Sequence, residues 1–319
     1  MRDSQGRNID YLRVSVTDRC NLRCIYCMPG QGIEKKKHDD ILRYEDIVKI
    51  VKAASVLDIK KVRYTGGEPL IMRNFDRLIY ETASINGIED IALTTNGILL
   101  DDMAEDLKKA GLKRVNISLD TLDKNKFKEI TRIGNLDKVL AGIDKCINSG
   151  LNPVKINAVL MKGINDTEID DFINFIREFP VEVRFIELMP IGEGTKLYEK
   201  SKMGFKEVLD VHPELTPMKS KPGSTAELYT VRGARGKIGF ISPISCKFCS
   251  DCNRIRLTST GTIKPCLHSK DEISIKEYLD NEVMLTAVLK EAILNKPSEH
   301  HLEDEKKSRS TKTMYQIGG

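Results

Sequence analysis

The chain of 319 residues reads as an α/β protein built on a parallel sheet. Three observations carry that reading. Strand-like apolar runs recur at residues 11–17, 60–65, 90–95, 114–119, 154–160 and 181–188, with helical patterns between them. Alternation of this kind calls for a parallel sheet with right-handed crossovers. The strand ends are also distinctive. A cysteine-rich loop follows the first, Thr65-Gly66-Gly67-Glu68-Pro69 the second and Thr94-Thr95-Asn96-Gly97 the third, while Ser118-Leu119-Asp120 ends the fourth and Met189-Pro190 the sixth. In a doubly wound sheet and in an open barrel alike, such loops gather on one rim and carry the site. Periodicity does not separate the two architectures. Finally, the alternation stops near residue 195, which divides the chain into 1–195 and a smaller α+β segment, 196–319.

The helical patterns are explicit. Ile47, Ile50, Val51, Ala54 and Leu57 repeat with the helical period. Residues 166–179 form another pattern, with Asp166 or Thr167 as the expected N-cap and Pro180 as the stop. Cys146 shares a helical stripe with Val139, Leu140, Ile143 and Ile147, which makes it a core residue. Beyond 195 the sequence predicts a polar connection at 199–203, a loop at 213–223 and β segments at 227–231, 237–241 and 254–258. A helix over 282–295 and a solvated charged stretch over 303–311 complete the reading.

Composition narrows the function. Charged residues are 31% and apolar residues 40%, an ordinary globular mixture. No apolar run of membrane-spanning length and no apolar N-terminal leader are present, so a cytoplasmic protein without membrane contact is expected. In that compartment the eight cysteines are expected to be reduced and available as metal ligands rather than paired as disulfides. A net charge of +4, no Trp and 6% aromatics do not suit a nucleic-acid surface but permit an anionic small molecule.

Cys20, Cys24 and Cys27 form a C-x3-C-x2-C loop directly after the first strand. Structural zinc wants four ligands, and the nearest further candidate is His38. An iron–sulfur cluster held by three thiolates keeps one iron open to a ligand. A zinc knuckle completed from elsewhere remains the alternative. A second set, Cys246, Cys249, Cys252 and Cys266, could be a zinc ribbon or another cluster. The run Cys246, Cys249, Cys252 leaves the choice of ligands open on spacing alone. In Gly66-Gly67-Glu68-Pro69 the glycines permit a tight turn or close approach to a ligand, and Glu68 is poised to accept from a cationic amine. Arg254 and Arg256, two apart on a strand, face the same way and suit a triphosphate, with the Ile255 backbone close by. Arg13, Arg63 and Lys155 in isolation read as ion-pair residues.

C-x3-C-x2-C with an aromatic before the last cysteine, followed by G-G-E-P, resembles the radical S-adenosylmethionine (SAM) superfamily. Phe248-Cys249-Ser250-Asp251-Cys252-Asn253-Arg254-Ile255-Arg256-Leu257, then Cys266-Leu267 and a terminal Gly318-Gly319, resembles the GTP 3′,8-cyclase family of molybdenum cofactor biosynthesis. The resemblance runs from Arg13 to Gly319 and implies an incomplete (β/α)6 TIM-like barrel with a smaller C-terminal domain. It implies that Cys20, Cys24 and Cys27 hold one 4Fe–4S cluster and that Cys249, Cys252 and Cys266 hold a second. Tyr26, Gly67, Glu68, Ser118 and Met189 would line the SAM site. Arg13, Arg63, Thr94, Lys155, Arg254, Ile255 and Arg256 would line the GTP site, and Arg254, Arg256, Gly318 and Gly319 would act on the chemistry. The implied reaction is radical cyclisation of GTP to 3′,8-cyclo-7,8-dihydro-GTP, a lyase activity. The second cluster would bind the guanine edge. The implied partners are a second copy in a homodimer, a reductant and the next pathway enzyme, cyclic pyranopterin monophosphate synthase. A radical SAM enzyme acting on a peptide, and a zinc-ribbon binding module, are the competing readings.

Overall fold

The structure is a computed structural model that describes residues 1–34, 36–219, 223–302 and 308–318. Its first six strands are β1 (Tyr11–Ser15), β2 (Lys61–Thr65), β3 (Asp90–Thr95), β4 (Arg114–Ser118), β5 (Val154–Leu160) and β6 (Glu182–Glu187). They pair in parallel, each with the next, and fall on the six apolar runs of the sequence.

One face of each strand is apolar and packs on helices. Leu12, Val14, Val62, Tyr64, Leu93, Val115 and Ile117 all belong to the main core. The other face is polar and points inward. In β5, Val154, Ile156, Ala158 and Leu160 are buried, while Lys155, Asn157 and Val159 between them are half-buried. The sheet curls far enough that Arg63 on β2 and Arg184 on β6 sense each other's charge across the interior. An incomplete barrel with a polar lumen is the result.

The covering helices begin and end for local reasons. In α1 (Tyr44–Val56) the Arg43 N–H donates to Asp46 Oδ2 at 3.1 Å, satisfying a free backbone donor at the helix start. The Asn135 side chain accepts from Asp137 N at 3.0 Å and caps α5 (Leu136–Asn148), on which Cys146 is fully buried. The remaining barrel helices are α2 (Phe75–Ala83), α3 (Leu100–Ala110) and α4 (Lys124–Thr131). The expected cap at Asp166 or Thr167 is not formed. Residues Asp166–Glu168 make a 3-10 turn, the Asp166 carboxylate accepts from Gly163 N at 2.9 Å, and α6 (Ile169–Glu178) starts after them. Phe179 is already extended, as a residue before proline must be.

After β6 the expected polar connection at 199–203 is helical as far as Ser201, in α7 (Gly194–Ser201), and only Lys202 and Met203 belong to the link to α8 (Phe205–Val211). Leu197 and Tyr198 pack on the buried cluster of Ile130, Met161 and Leu188, and Lys196–Glu193 and Lys202–Glu199 pairs line the outer face. Burial of one side of so short a segment decides its conformation, and about two turns give too little periodicity to read. The expected loop at 213–223 contains β7 (Thr216–Pro217), which pairs with β8 (Glu227–Thr230).

The C-terminal segment completes the sheet at both edges. β9 (Lys237–Ile241) pairs parallel to β6, and β10 (Arg254–Leu257) pairs parallel to β1. Short antiparallel strands follow outside, β11 (Thr262–Lys264) and β12 (Ile273–Ser274) beside β10, and β8 and β7 beside β9. α9 (Glu282–Leu294) packs against α1. Of the charged stretch 303–311, residues 303–307 lie outside the described residues. Ser308 is buried rather than solvated, because its N–H donates to Pro190 O at 3.3 Å. Among the described residues no helix is long and apolar enough to cross a membrane.

Candidate functional site

The cysteine loop is held at the rim by backbone on two sides. From β2, Gly67 N donates to Thr17 O and Glu68 N donates to Arg19 O, each at 2.7 Å. A Cβ on Gly67 would lie 2.1 Å from Arg19 O, so glycine is required by close approach of the chain to itself. From α4, Thr131 O and Ile130 O accept from Arg23 N and Ile25 N, and Arg132 Nη1 donates to Arg23 O at 2.7 Å.

Cys20, Cys24 and Cys27 are partly buried and unpaired. Burial pushes the Cys20 thiol up to about 11, Cys27 up to about 12 and Cys24 well above its ordinary value. Each of Cys24 and Cys27 also feels the negative charge of neighbouring cysteines in the triad. Three thiolates packed this way ionise together when a cation sits among them, which is the donor set of an iron–sulfur cluster. Leu22 N donates to Cys20 Sγ at 3.3 Å, and the Tyr315 N–H donates to Cys27.

Around this triad stand the strand ends. Glu68 is buried and accepts from Thr95 Oγ1 at 2.7 Å, Asn96 N at 2.7 Å and Leu70 N at 3.0 Å. Burial raises its pKa to about 7 despite those three donors. Asn96 reaches on to Asn21 Oδ1 at 2.7 Å. The Tyr26 hydroxyl donates to Asp120 Oδ2 at 2.7 Å, and Val159 N donates to Asp120 Oδ1 at 2.8 Å. Burial lifts Asp120 to about 6. Ser118 and Met189 are half-buried at the ends of β4 and β6, with the Met189 carbonyl 2.7 Å from where a Cβ on Gly194 would sit.

Below the rim the lumen is cationic. Arg13 is in register with Arg63 on β2 and with Arg256 on β10. Burial, then Arg256, holds the Arg13 guanidinium well below its ordinary pKa. Arg63 Nη1 donates to Leu93 O at 3.2 Å and to Thr94 Oγ1 at 3.1 Å. Burial and Arg184 bring Lys155 down to about 8, against its partner Glu182 at 3.4 Å. Burial, then Arg254, lowers Arg256 to about 10. The Ile255 side chain is fully buried on the opposite face, so only its backbone faces this region. The tail enters the same place. Arg256 Nη1 donates to Gly318 O at 2.8 Å, and a Cβ on Gly318 would lie 2.6 Å from Thr65 Cγ2. Gly319 lies outside the described residues.

Cys249, Cys252 and Cys266 gather on the β10 side. Cys249 feels the charge of Cys266 and Cys252, and burial raises it. Burial pushes Cys252 up too, but Lys296 and Arg254 outweigh it and the thiol lies below its ordinary value. Cys246 is exposed and turned toward Glu227, 3.7 Å from Oε1. The donors again suit a cluster held by three thiolates.

Several residues of this site carried no sequence signal. Tyr11, Arg114 and Arg184 reach the lumen only through the sheet's curl. Asp120 and Asn96 were visible as polar strand ends, but their partners Tyr26 and Glu68 are distant in sequence.

The sequence pattern described as the radical SAM superfamily matches residues 14–176, and the one described as Molybdenum Cofactor Synthesis C matches residues 181–302. GTP 3′,8-cyclases of Clostridium botulinum strain Okra and Clostridium acetobutylicum are each 59% identical to the chain, covering 100% of both sequences. That of Alkaliphilus oremlandii is 50% identical over the same full coverage. Among solved structures, Streptococcus suis SuiB bound to S-adenosylmethionine superposes with a TM-score of 0.64 at 19% identity, over 86% of this chain and 65% of SuiB. anSMEcpe with bound AdoMet gives 0.52 at 16% identity, over 86% and 79% of the two chains. These likenesses bear out the α/β partial-barrel fold. With full-length relatives at this identity and both patterns matched in order, the chain belongs to the GTP 3′,8-cyclase family of the radical SAM superfamily.

Proposed function

We propose that the protein converts GTP to 3′,8-cyclo-7,8-dihydro-GTP in the first step of molybdenum cofactor biosynthesis. The observation that carries this is one barrel with three thiols at its rim and guanidiniums in its lumen. Cys20, Cys24 and Cys27 would hold the first 4Fe–4S cluster, and Cys249, Cys252 and Cys266 the second. When bound, the first cluster and SAM together supply a carbon-centred radical from reductive cleavage of SAM.

The chain's own residues bind, orient and shield. Asp120 fixes the Tyr26 ring at the rim through the 2.7 Å hydrogen bond, which positions a flat wall beside the SAM site. Glu68, lifted by burial, returns to the carboxylate form when a cationic amine is brought beside it. Gly67, Ser118 and Met189 would complete that site. Arg13, Arg63, Thr94, Lys155, Arg254 and Arg256 would take the nucleotide, with the Ile255 backbone alongside. A triphosphate would pull Lys155 back up from about 8 and keep it protonated. Arg256 would share its donors between substrate and the Gly318 carbonyl, and with Arg254, Gly318 and Gly319 would fix the pose for hydrogen abstraction. Holding the reacting carbon close to the radical source is the main entropic contribution.

We place the SAM chemistry in residues 1–195 and the second cluster in 196–319. We further propose a cytoplasmic homodimer supplied by a separate reductant, whose product passes to cyclic pyranopterin monophosphate synthase.

The test is anaerobic reconstitution with iron and sulfide analysis, followed by SAM turnover with and without GTP. Expected are about eight irons per chain, as two cubanes require, and cyclised product only with GTP. Cys24→Ala should lose SAM cleavage and about half the iron. A colourless, sulfide-free protein would overturn the reading in favour of zinc, and turnover on a peptide without GTP would overturn the substrate.

A further inference from the structure

Tyr11 lies at the bottom of the lumen, two residues before Arg13 and therefore on the same inward face of β1. Its hydroxyl receives the Arg63 Nε–H in a short hydrogen bond, and the Arg63 guanidinium sits 6.0 Å over its ring. Arg114 of β4, held by Asp90, lies close enough to act on the same oxygen. One phenol oxygen thus takes the Arg63 hydrogen bond, with two further guanidiniums, Arg13 and Arg114, close enough to act on it.

The charges around Tyr11 are mostly positive, and the carboxylates among them are each paired with another cation. On β2 these are Arg63 and, farther out, Lys61, which pairs with Asp10 at 2.9 Å. Asp90 of β3 pairs with Arg114 at 2.6 Å. Glu182 of β6 is shared by Arg184 and Lys155. On β10, Arg256 feels both Arg254 and Tyr11. Among the described residues no carboxylate pairs with Arg63. Its hydrogen bonds go to the Tyr11 hydroxyl, a carbonyl and the Thr94 hydroxyl.

We propose that Tyr11 is a positioning residue of the polyphosphate site: it aims the Arg63 guanidinium, and its oxygen holds the charge-neutralising place that the substrate's phosphates take over on binding. The proposal rests on the GTP reading above and adds a residue and a proton to it. Burial alone would push the phenol up, but Arg63, Arg13 and Arg114 outweigh burial and bring it down to about 7. Above pH 7 the empty site therefore contains a phenolate. A polyphosphate repels that phenolate and competes for the same guanidiniums, so binding raises the pKa of Tyr11 and takes up a proton. Affinity should accordingly fall as pH rises above about 7, approaching tenfold per pH unit for one proton. In Tyr11→Phe this component is absent, and Arg63 loses its aim.

The experiment uses the reconstituted holoenzyme and inorganic tripolyphosphate, which carries no chromophore and no guanine to touch the second cluster. The first readout is the difference absorbance near 295 nm at pH 8, with and without tripolyphosphate, in which the cluster bands cancel. Tyr26 and Tyr64 are pushed up by burial and stay silent there. The second readout is affinity for tripolyphosphate and for GTP from pH 6 to pH 9 in wild type and Tyr11→Phe. Expected are loss of a tyrosinate band on binding in wild type, none in Tyr11→Phe, and a steeper pH dependence in wild type than in the variant. The variant's phosphate titrates as the wild type's does, so the difference in slope isolates Tyr11. If GTP and tripolyphosphate bind without any loss of tyrosinate, or with equal slopes in both proteins, the proposal is overturned while the GTP reading stands. If neither ligand binds, both fall. If Tyr11→Phe fails to fold or to load iron, the wild-type absorbance change decides alone.

Discussion

Replacing Gly67 with alanine should damage the protein far out of proportion to one methyl group. The added Cβ would sit 2.1 Å from Arg19 O, 2.6 Å from Arg19 C and 2.7 Å from Asp18 O. All three are backbone atoms, so no side chain can rotate away. Reaching even 3.0 Å requires the two segments to part by about 0.9 Å. That separation stretches the 2.7 Å hydrogen bonds from Gly67 N to Thr17 O and from Glu68 N to Arg19 O. Overpacking costs about 1–3 kcal/mol, and weakening two backbone hydrogen bonds adds roughly 1–2 kcal/mol. With an unfolding entropy of about 2.1 cal/mol/K per residue, a total of 2–5 kcal/mol lowers Tm by roughly 3–7 °C. The displaced residue, Arg19, precedes Cys20, so iron at the first centre should fall as well. Gly204→Ala is the control, since nothing lies within 4 Å of its Cβ and its φ is ordinary. It should stay within about 0.5 kcal/mol of wild type. Calorimetry and anaerobic iron analysis on both variants measure this. If Gly67→Ala melts within about 1 °C of wild type and carries full iron, the close approach does not hold the loop and the reasoning is wrong.

Two other substitutions test the remaining assignments. Cys246→Ser should keep both clusters, because its thiol is exposed and faces Glu227 rather than the other three cysteines; iron lower by about one cluster would show that it is a ligand. Deleting Gly318 and Gly319 removes the carbonyl that Arg256 grips but leaves the Tyr315 N–H on Cys27. Iron content, Tm and SAM binding should stay near wild type while cyclised product is suppressed. Full product, or activity that falls only in step with iron, would refute a role in catalysis.

The parallel strand order was legible because its signals are local. Alternating apolar runs marked β1 to β6, and an apolar stripe marked Cys146 as core. Both cysteine loops were visible because ligands for one centre must be close in sequence when the loop is tight. What stayed hidden depended on distance. Tyr11 looked like the start of a strand, and only the curl of the sheet brings Arg114 and Arg63 to its oxygen. In the sequence Gly67 offers a tight turn or room for a ligand, and in the structure its bareness makes room for the Arg19 carbonyl. α7 was missed because the surface that folds it, Ile130, Met161 and Leu188, comes from three separate stretches of chain.

The pairing of β1 with β10 sets a schedule for folding. Tyr11–Ser15 is made well before the strand that covers its outer edge, in which Arg254 stands opposite Tyr11. At about 5–20 residues per second, synthesis of the intervening chain takes roughly 12–50 s. Through that interval β1 can pair with β2 on one side only, and its other edge offers unpaired N–H and C=O groups to any strand nearby. Arg13 and Arg256, which repel each other once paired, are then still apart. The newborn chain thus has an open edge where the mature protein has its arginine-lined lumen. Aggregation during expression should depend on how soon that edge is closed or shielded, and slower synthesis or scarce chaperone should lower yield more than it would for a sheet closed by neighbours in sequence.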